Sequence, residues 1–138
     1  GAELAQERMS VAYNQRDQEN EHSCFSDNTV ADLHNNAVSV QNVFLGKYGD
    51  SDGPGLDDLI AKVDTSIAKD MTDKLQLAID EIDAIEGPFD QAILDFTEDG
   101  EDGPNRRHIA SAISLLKAFQ ENCSAAATKL GLELTFPE

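Results

Sequence analysis

Carboxylate, imidazole, thiol, hydroxyl and amide groups crowd into consecutive positions at Glu19-Asn20-Glu21-His22-Ser23-Cys24-Phe25-Ser26-Asp27-Asn28-Thr29, between two apolar, helix-like stretches. Packing alone gives no reason for such a run. The groups suit a polar pocket or a cation site, with Glu19 and His22 as candidate metal ligands and Glu21, Ser23, Ser26, Asp27 and Asn28 as candidate contacts to a ligand. Asp27, Asn28 and Thr29 also suit the cap of the helix that follows, which would make the stretch a capped loop. Ser23 and Cys24 stand beside His22, but nucleophilic catalysis needs a base facing the nucleophile and a third orienting group, and adjacent side chains seldom face one another.

Elsewhere the signals are weaker. Asp50-Ser51-Asp52-Gly53 followed by Asp57 and Asp58 supplies oxygens for calcium, yet Pro54-Gly55-Leu56 interrupts the alternation of a calcium loop and no glutamate closes it, so a solvated turn is expected. The acids from Glu98 to Asp102 read the same way. None of the 3 histidines is followed by His or Glu three or four residues later, so no metal-binding helix is visible; His34 and His108 are expected as surface or interhelical hydrogen-bonding residues. Cys24 and Cys123 lack the close spacing of a zinc knuckle or redox pair. They are a candidate disulfide, which would close a loop of roughly 100 residues and stabilise by about 4 to 5 kcal/mol in the chain-entropy view, or else two unpaired thiols.

These residues are carried by 138 positions, enough for one domain with one core. With 10 Lys+Arg against 27 Asp+Glu the net charge is −17. That charge repels phosphate backbones and anionic lipid, so neither nucleic acid nor a membrane surface is an expected partner. No run reaches the roughly 18 apolar residues of a membrane span, and the start reads as helix interior without a cap, as after processing or truncation.

Apolar spacing predicts the elements. Leu4, Met9, Ala12 and Tyr13 mark a short first helix to about Asn14. Val30, Leu33, Ala37, Val40, Val43 and Phe44 share a helical face that Gly46 ends. The glycine- and proline-rich linker from Lys47 to Gly55 is irregular before Leu56, Leu59, Ile60 and Val63 resume a helical pattern. Asp64 caps the best amphipathic helix, with Ile67, Met71, Leu75, Ala78, Ile79, Ile82 and Ile85 in one stripe ended by Gly87-Pro88. A short helix follows to Phe96, then a loop. Pro104 opens a long last helix toward Gly131, and residues 132–136 alternate like an extended tail. The expectation is an all-α fold: an antiparallel four-helix-bundle-like domain over residues 1–138, with irregular connections and almost no strand.

Glu7-Arg8-Met9, Ala12-Tyr13, the run from Gln18 to Thr29, Gln41-Asn42-Val43 and Leu45-Gly46 resemble the C-terminal half of imelysin-like proteins. The likeness continues more loosely through Gly53-Pro54, Leu59, Pro88-Phe89-Asp90 and the segment from Ala126 to Leu132. The resemblance implies a bacterial protein of the iron-uptake setting, periplasmic or anchored at the outer membrane or cell surface, with two helical domains and a metal or ligand site between them. Its implied cofactor is iron or another divalent metal, shared with an N-terminal helical domain that is also the implied partner. The family is catalogued as metallopeptidases, but its Gly-x-His-x-x-Glu motif belongs to the N-terminal domain and no His here has Glu three residues later. The leading expectation is therefore a binding domain that contributes the polar run from Glu19 to Asn28 to an interdomain site. A metallopeptidase domain and a purely structural or protein-interaction domain are the alternatives.

Overall fold

The computed structural model describes residues 3–132, and the chain is predominantly helical, as the spacing predicts. Beyond Leu132, the expected extended tail lies outside the described residues. A π-helical turn over Glu3–Ser10 runs into α1 (Val11–Gln15). The five-residue gap from Leu4 to Met9 is too wide for an α-helical stripe, and the wider π turn brings Leu4, Ala5, Met9 and Ser10 inward together. Ser10 Oγ donates to the carbonyl of Ala5 at 2.6 Å, so the buried hydroxyl has a partner.

The second expected helix is α2 (Thr29–Leu45). It ends at Gly46 with φ of 68°, and a Cβ there would lie 2.4 Å from the carbonyl oxygen of Gly53, so both the turn and the close approach demand glycine. The linker is more ordered than its composition predicts, because β1 (Lys47–Tyr48) and β2 (Ser51–Asp52) pair as a small antiparallel hairpin. α3 (Leu56–Ala61) follows, and then α4 (Thr65–Asp83). Asp64 is the cap of α4 as expected: its Oδ1 accepts from the backbone N–H of Ser66 at 3.0 Å and of Ile67 at 3.1 Å. Its other oxygen takes Lys129 Nζ at 2.5 Å, which ties the start of α4 to the end of the last helix. Hydrogen bonds from Lys129 and then from Ser66 hold the Asp64 carboxyl well below the usual carboxylate range.

α5 (Phe89–Ala92) is shorter than the helix expected to Phe96. After it the chain extends, and Phe96 pairs with Asp102 across the acidic loop. α6 (Pro104–Lys129) starts on its proline. Gly103 lies against the Asp95 carboxylate, where a Cβ would sit 2.4 Å from Oδ1. The Asn105 backbone N–H donates to Asp95 Oδ2 at 2.8 Å, and its side-chain oxygen accepts from the backbone N–H of Glu86 at 2.8 Å. One polar corner thus joins the end of α4, the α5 exit and the start of α6.

α4 packs against α2, α3 and α6, and the N-terminal segment lies on α6 and α2. Ala68, Met71, Leu75, Ala78, Ile79 and Ile82 of α4 join Leu33 and Ala37 of α2 and Ile109, Ala112 and Leu116 of α6 in one contiguous core. Both flanking histidines clasp α4, as the expected interhelical role requires: His34 Nδ1 meets Asp83 Oδ1 and His108 Nδ1 meets Glu81 Oε2, each at 2.6 Å. Among the described residues no helix is long and apolar enough to cross a membrane.

Leu75 is wholly buried at the centre of α4. Leu75→Ala is expected to cost about 2 to 5 kcal/mol, read as a lower urea midpoint with an unchanged denaturant slope; a loss below about 0.5 kcal/mol, the range of surface substitutions, would contradict this core.

Candidate functional site

Arg16, with φ of 56°, stops α1 and turns the chain into the polar run. Asp17 Oδ1 accepts the Glu19 N–H at 3.0 Å and so caps a single 3-10 turn over Gln18–Asn20. The Glu21 N–H closes this turn on the carbonyl of Gln18 at 3.0 Å. Glu21 then points inward and is only 7% exposed, although nothing in its local spacing marks an apolar face.

A web of short polar contacts fixes the residues that follow. The Ser23 N–H donates to Thr29 Oγ1 at 3.0 Å, and Ser23 Oγ donates to the Asp32 carboxylate. Asn28 Nδ2 donates to Asp32 Oδ1 at 3.1 Å. Thr29 is fully buried beneath this web. The expected capping by Asp27, Asn28 and Thr29 therefore takes another form. Asn28 occupies the cap position without a side-chain bond to the first turn. Its amide instead grips Asp32 one turn on, and Thr29 serves the incoming loop. Asp27 adopts the left-handed region, φ of 50°, a conformation that Asp tolerates better than most side chains.

Electrostatics single out Glu21. Burial is the main cause that pushes its carboxyl above the ordinary range near 4.5; a hydrogen bond with Thr29 opposes the shift, while Asp90 and Asp27 reinforce it. Its Oε2 and the neighbouring His22 Nδ1 are both buried without a hydrogen-bond partner. An unsatisfied buried polar group costs about 1 to 3 kcal/mol, and folded proteins keep few of them. Two on adjacent residues within the most chemically dense stretch mark where the chain offers unfilled bonding capacity.

The other candidates are distributed unevenly. Ser23 is half-buried within the web, whereas Ser26, Asp27 and Asn28 are exposed on its rim. Glu19 is exposed on the 3-10 turn. Among the described residues no group of three or more His, Cys, Asp and Glu side chains could hold a metal ion. Cys24 and Cys123 are both free thiols, one in the polar loop and the other on α6. Phe25 stands 96% exposed in the middle of the run, where an aromatic side chain gains nothing from folding this chain.

Sequence reasoning missed Asp32 and Asp90. Asp32 was legible as the residue four positions after Asn28, one helical turn along α2. Asp90 was not, since only tertiary packing brings the start of α5 within electrostatic reach of Glu21. The acidic loop also does more than keep the surface soluble. Asp102 Oδ1 accepts from Arg106 Nε at 2.5 Å and its Oδ2 accepts from the Tyr13 hydroxyl at 2.7 Å, which anchors α1 just before the polar run. Bonds from Arg106 and then Tyr13 hold the Asp102 carboxyl below its usual range.

A family model described as Imelysin (Peptidase_M75) matches residues 2–121. No curated protein matches the chain.

The raised Glu21 carboxyl fixes the sign of a pH effect. Its contribution to stability is fully present below the unfolded value near 4.5 and is lost as pH rises through the higher folded value. Glu21→Gln keeps the shape and cannot ionise, so its stability relative to the parent is expected to rise from about pH 5 to about pH 8 in urea denaturation. A pH-independent difference between the two proteins would show that Glu21 is not buried as described.

Proposed function

As the chain belongs to the imelysin family, we propose that it is a binding domain of the bacterial iron-uptake setting, one that lends the Glu21 to Asn28 loop to a ligand or metal site completed by a second helical domain. The observation that carries this reading is the pair of buried, unpartnered atoms, Glu21 Oε2 and His22 Nδ1. Asp27 and Asp90 make the surroundings acidic, so a cation or a hydrogen-bond donor is the complementary occupant.

A resident metal does not fit this chain by itself. Protein zinc sites take at least three side-chain ligands, and the described residues bring no such set together. The missing donors are assigned to the partner domain, and the same division accounts for the absence of the Gly-x-His-x-x-Glu motif from this sequence. Phe25 supports an interdomain location. A single exposed aromatic at a loop tip is the kind of residue that anchors a protein interface, and it sits three positions from His22. From the family likeness we infer a location in the periplasm or at the outer membrane or cell surface.

Calorimetric titration with ferrous, ferric, cupric and zinc ions tests the site in this chain, in His22→Ala and in a protein that also carries the second domain. The expected result is tight binding only with the second domain present, weakened at least about tenfold by His22→Ala. No binding in any of them would end the metal reading. Phe25→Ala is expected to leave the unfolding midpoint unchanged while weakening association with a separately expressed second domain by more than about 1 kcal/mol; equal affinity would remove this loop from the interface.

A further inference from the structure

α2 and α6 both run antiparallel to α4: Asp83 and Gln76 of α4 meet His34 and Gln41 of α2, while Glu81 and Asp70 meet His108 and Asn122 of α6. The two helices are therefore parallel to each other. The N-terminal segment packs on both in the reverse direction, because Tyr13 bonds Asp102 and Arg106 at the start of α6 and the π turn before it lies on α6 farther along. That segment has 8 residues in the π turn and 5 in α1, at most about 20 Å of helix, against roughly 39 Å for the 26 residues of α6. It accompanies α6 for only about half its length.

Along the other half, the later turns of α2 and α6 leave an open groove of about 440 Å³. Met71 of α4 and the edge-to-face rings of Phe44 and Phe119, 5.5 Å apart, line it together with Val43, Leu59 and Cys123. Its rim is unusually apolar for a surface, with Val43 69% and Leu59 42% exposed. The groove thus continues the interface that the N-terminal segment makes with α2 and α6, and an apolar trough between two parallel helices is shaped for a third helix. A second copy is a poorer occupant, because two chains of net charge −17 repel one another.

We propose that this groove seats an amphipathic helix of the second helical domain, laid in line with the N-terminal segment and antiparallel to α6, with its apolar stripe on Val43, Leu59 and Phe119. The proposal rests on the two-domain reading above but concerns a surface away from the polar loop. Cys123 reports on the seating, since its thiol is free and lines the groove.

In a Cys24→Ser background, alkylation of Cys123 by N-ethylmaleimide is followed by mass spectrometry of its peptide, with and without a saturating amount of separately expressed second domain, whose association is measured by calorimetry. The expected result is that the second domain slows alkylation at least about tenfold. Val43→Asp places a charge on an exposed position, so helical circular dichroism is expected to be unchanged while the slowing is lost. Association without slowing would overturn the helix seat and leave the proposed function standing, whereas no association would overturn both. A rate in the chain alone that falls as its own concentration rises would assign the groove to a second copy and also overturn the seat.

Discussion

The Arg106 guanidinium is the interaction on which the rest of this structure depends. It is 5% exposed, and a charge held that far from water survives only when its donors and its charge are both matched. The matching groups come from separate parts of the chain: the Asp102 carboxylate, the carbonyl of Ile93, the carbonyl of Tyr13 and the faces of the Tyr13 and Phe96 rings, whose centroids lie 4.0 and 4.4 Å from its central carbon. Arg16 covers the same Phe96 ring at 4.6 Å. One side chain of α6 thereby fixes α1, the exit of α5 and the acidic loop at once. A hydrophobic residue could fill the volume but could not impose this set of directions.

That constraint reaches the candidate site through the backbone. Tyr13 is held, Arg16 turns the chain, and only a few residues separate that turn from Glu21. Ile93 is held in the same way at the end of α5, whose first turn carries Asp90. The two carboxylates that influence one another are thus the nearby dependents of one buried cation. The α4 clasps to His34 and His108 work alongside it, but they lie mostly in water-accessible positions, where ion pairs contribute little. Specific placement comes from the buried pin, and bulk stability comes from the apolar stripe of α4.

The stripe was the legible part. Where apolar residues recur at three and four positions, as in α2, α4 and α6, the sequence period is the helix period and burial follows it. The caps at Asp64 and Pro104 and the stop at Gly46 were equally local and equally readable. The first helix was misread in detail because Leu4 and Met9 are five apart, a spacing that belongs to the π turn. Asp102 looked like one more solvated acid, since its partners Tyr13 and Arg106 are identified only by tertiary packing. In the polar run the residue types were conspicuous, but composition could not separate Glu21, which turns inward, from Glu19, which stays in water.

That separation decides what the loop can do. An exposed carboxylate such as Glu19 is already satisfied by water and gains little from a partner. Glu21 has lost its water, and neither Thr29 nor the nearby acids fills the vacant position on Oε2. His22 repeats the condition on the next residue. Folding has therefore brought two strong hydrogen-bonding groups into a state that a donor or cation would relieve, and the side chains of the surrounding Ser23, Asn28 and Asp32 are committed to one another. The web thus leaves both atoms unmatched within the loop, beside the exposed Phe25.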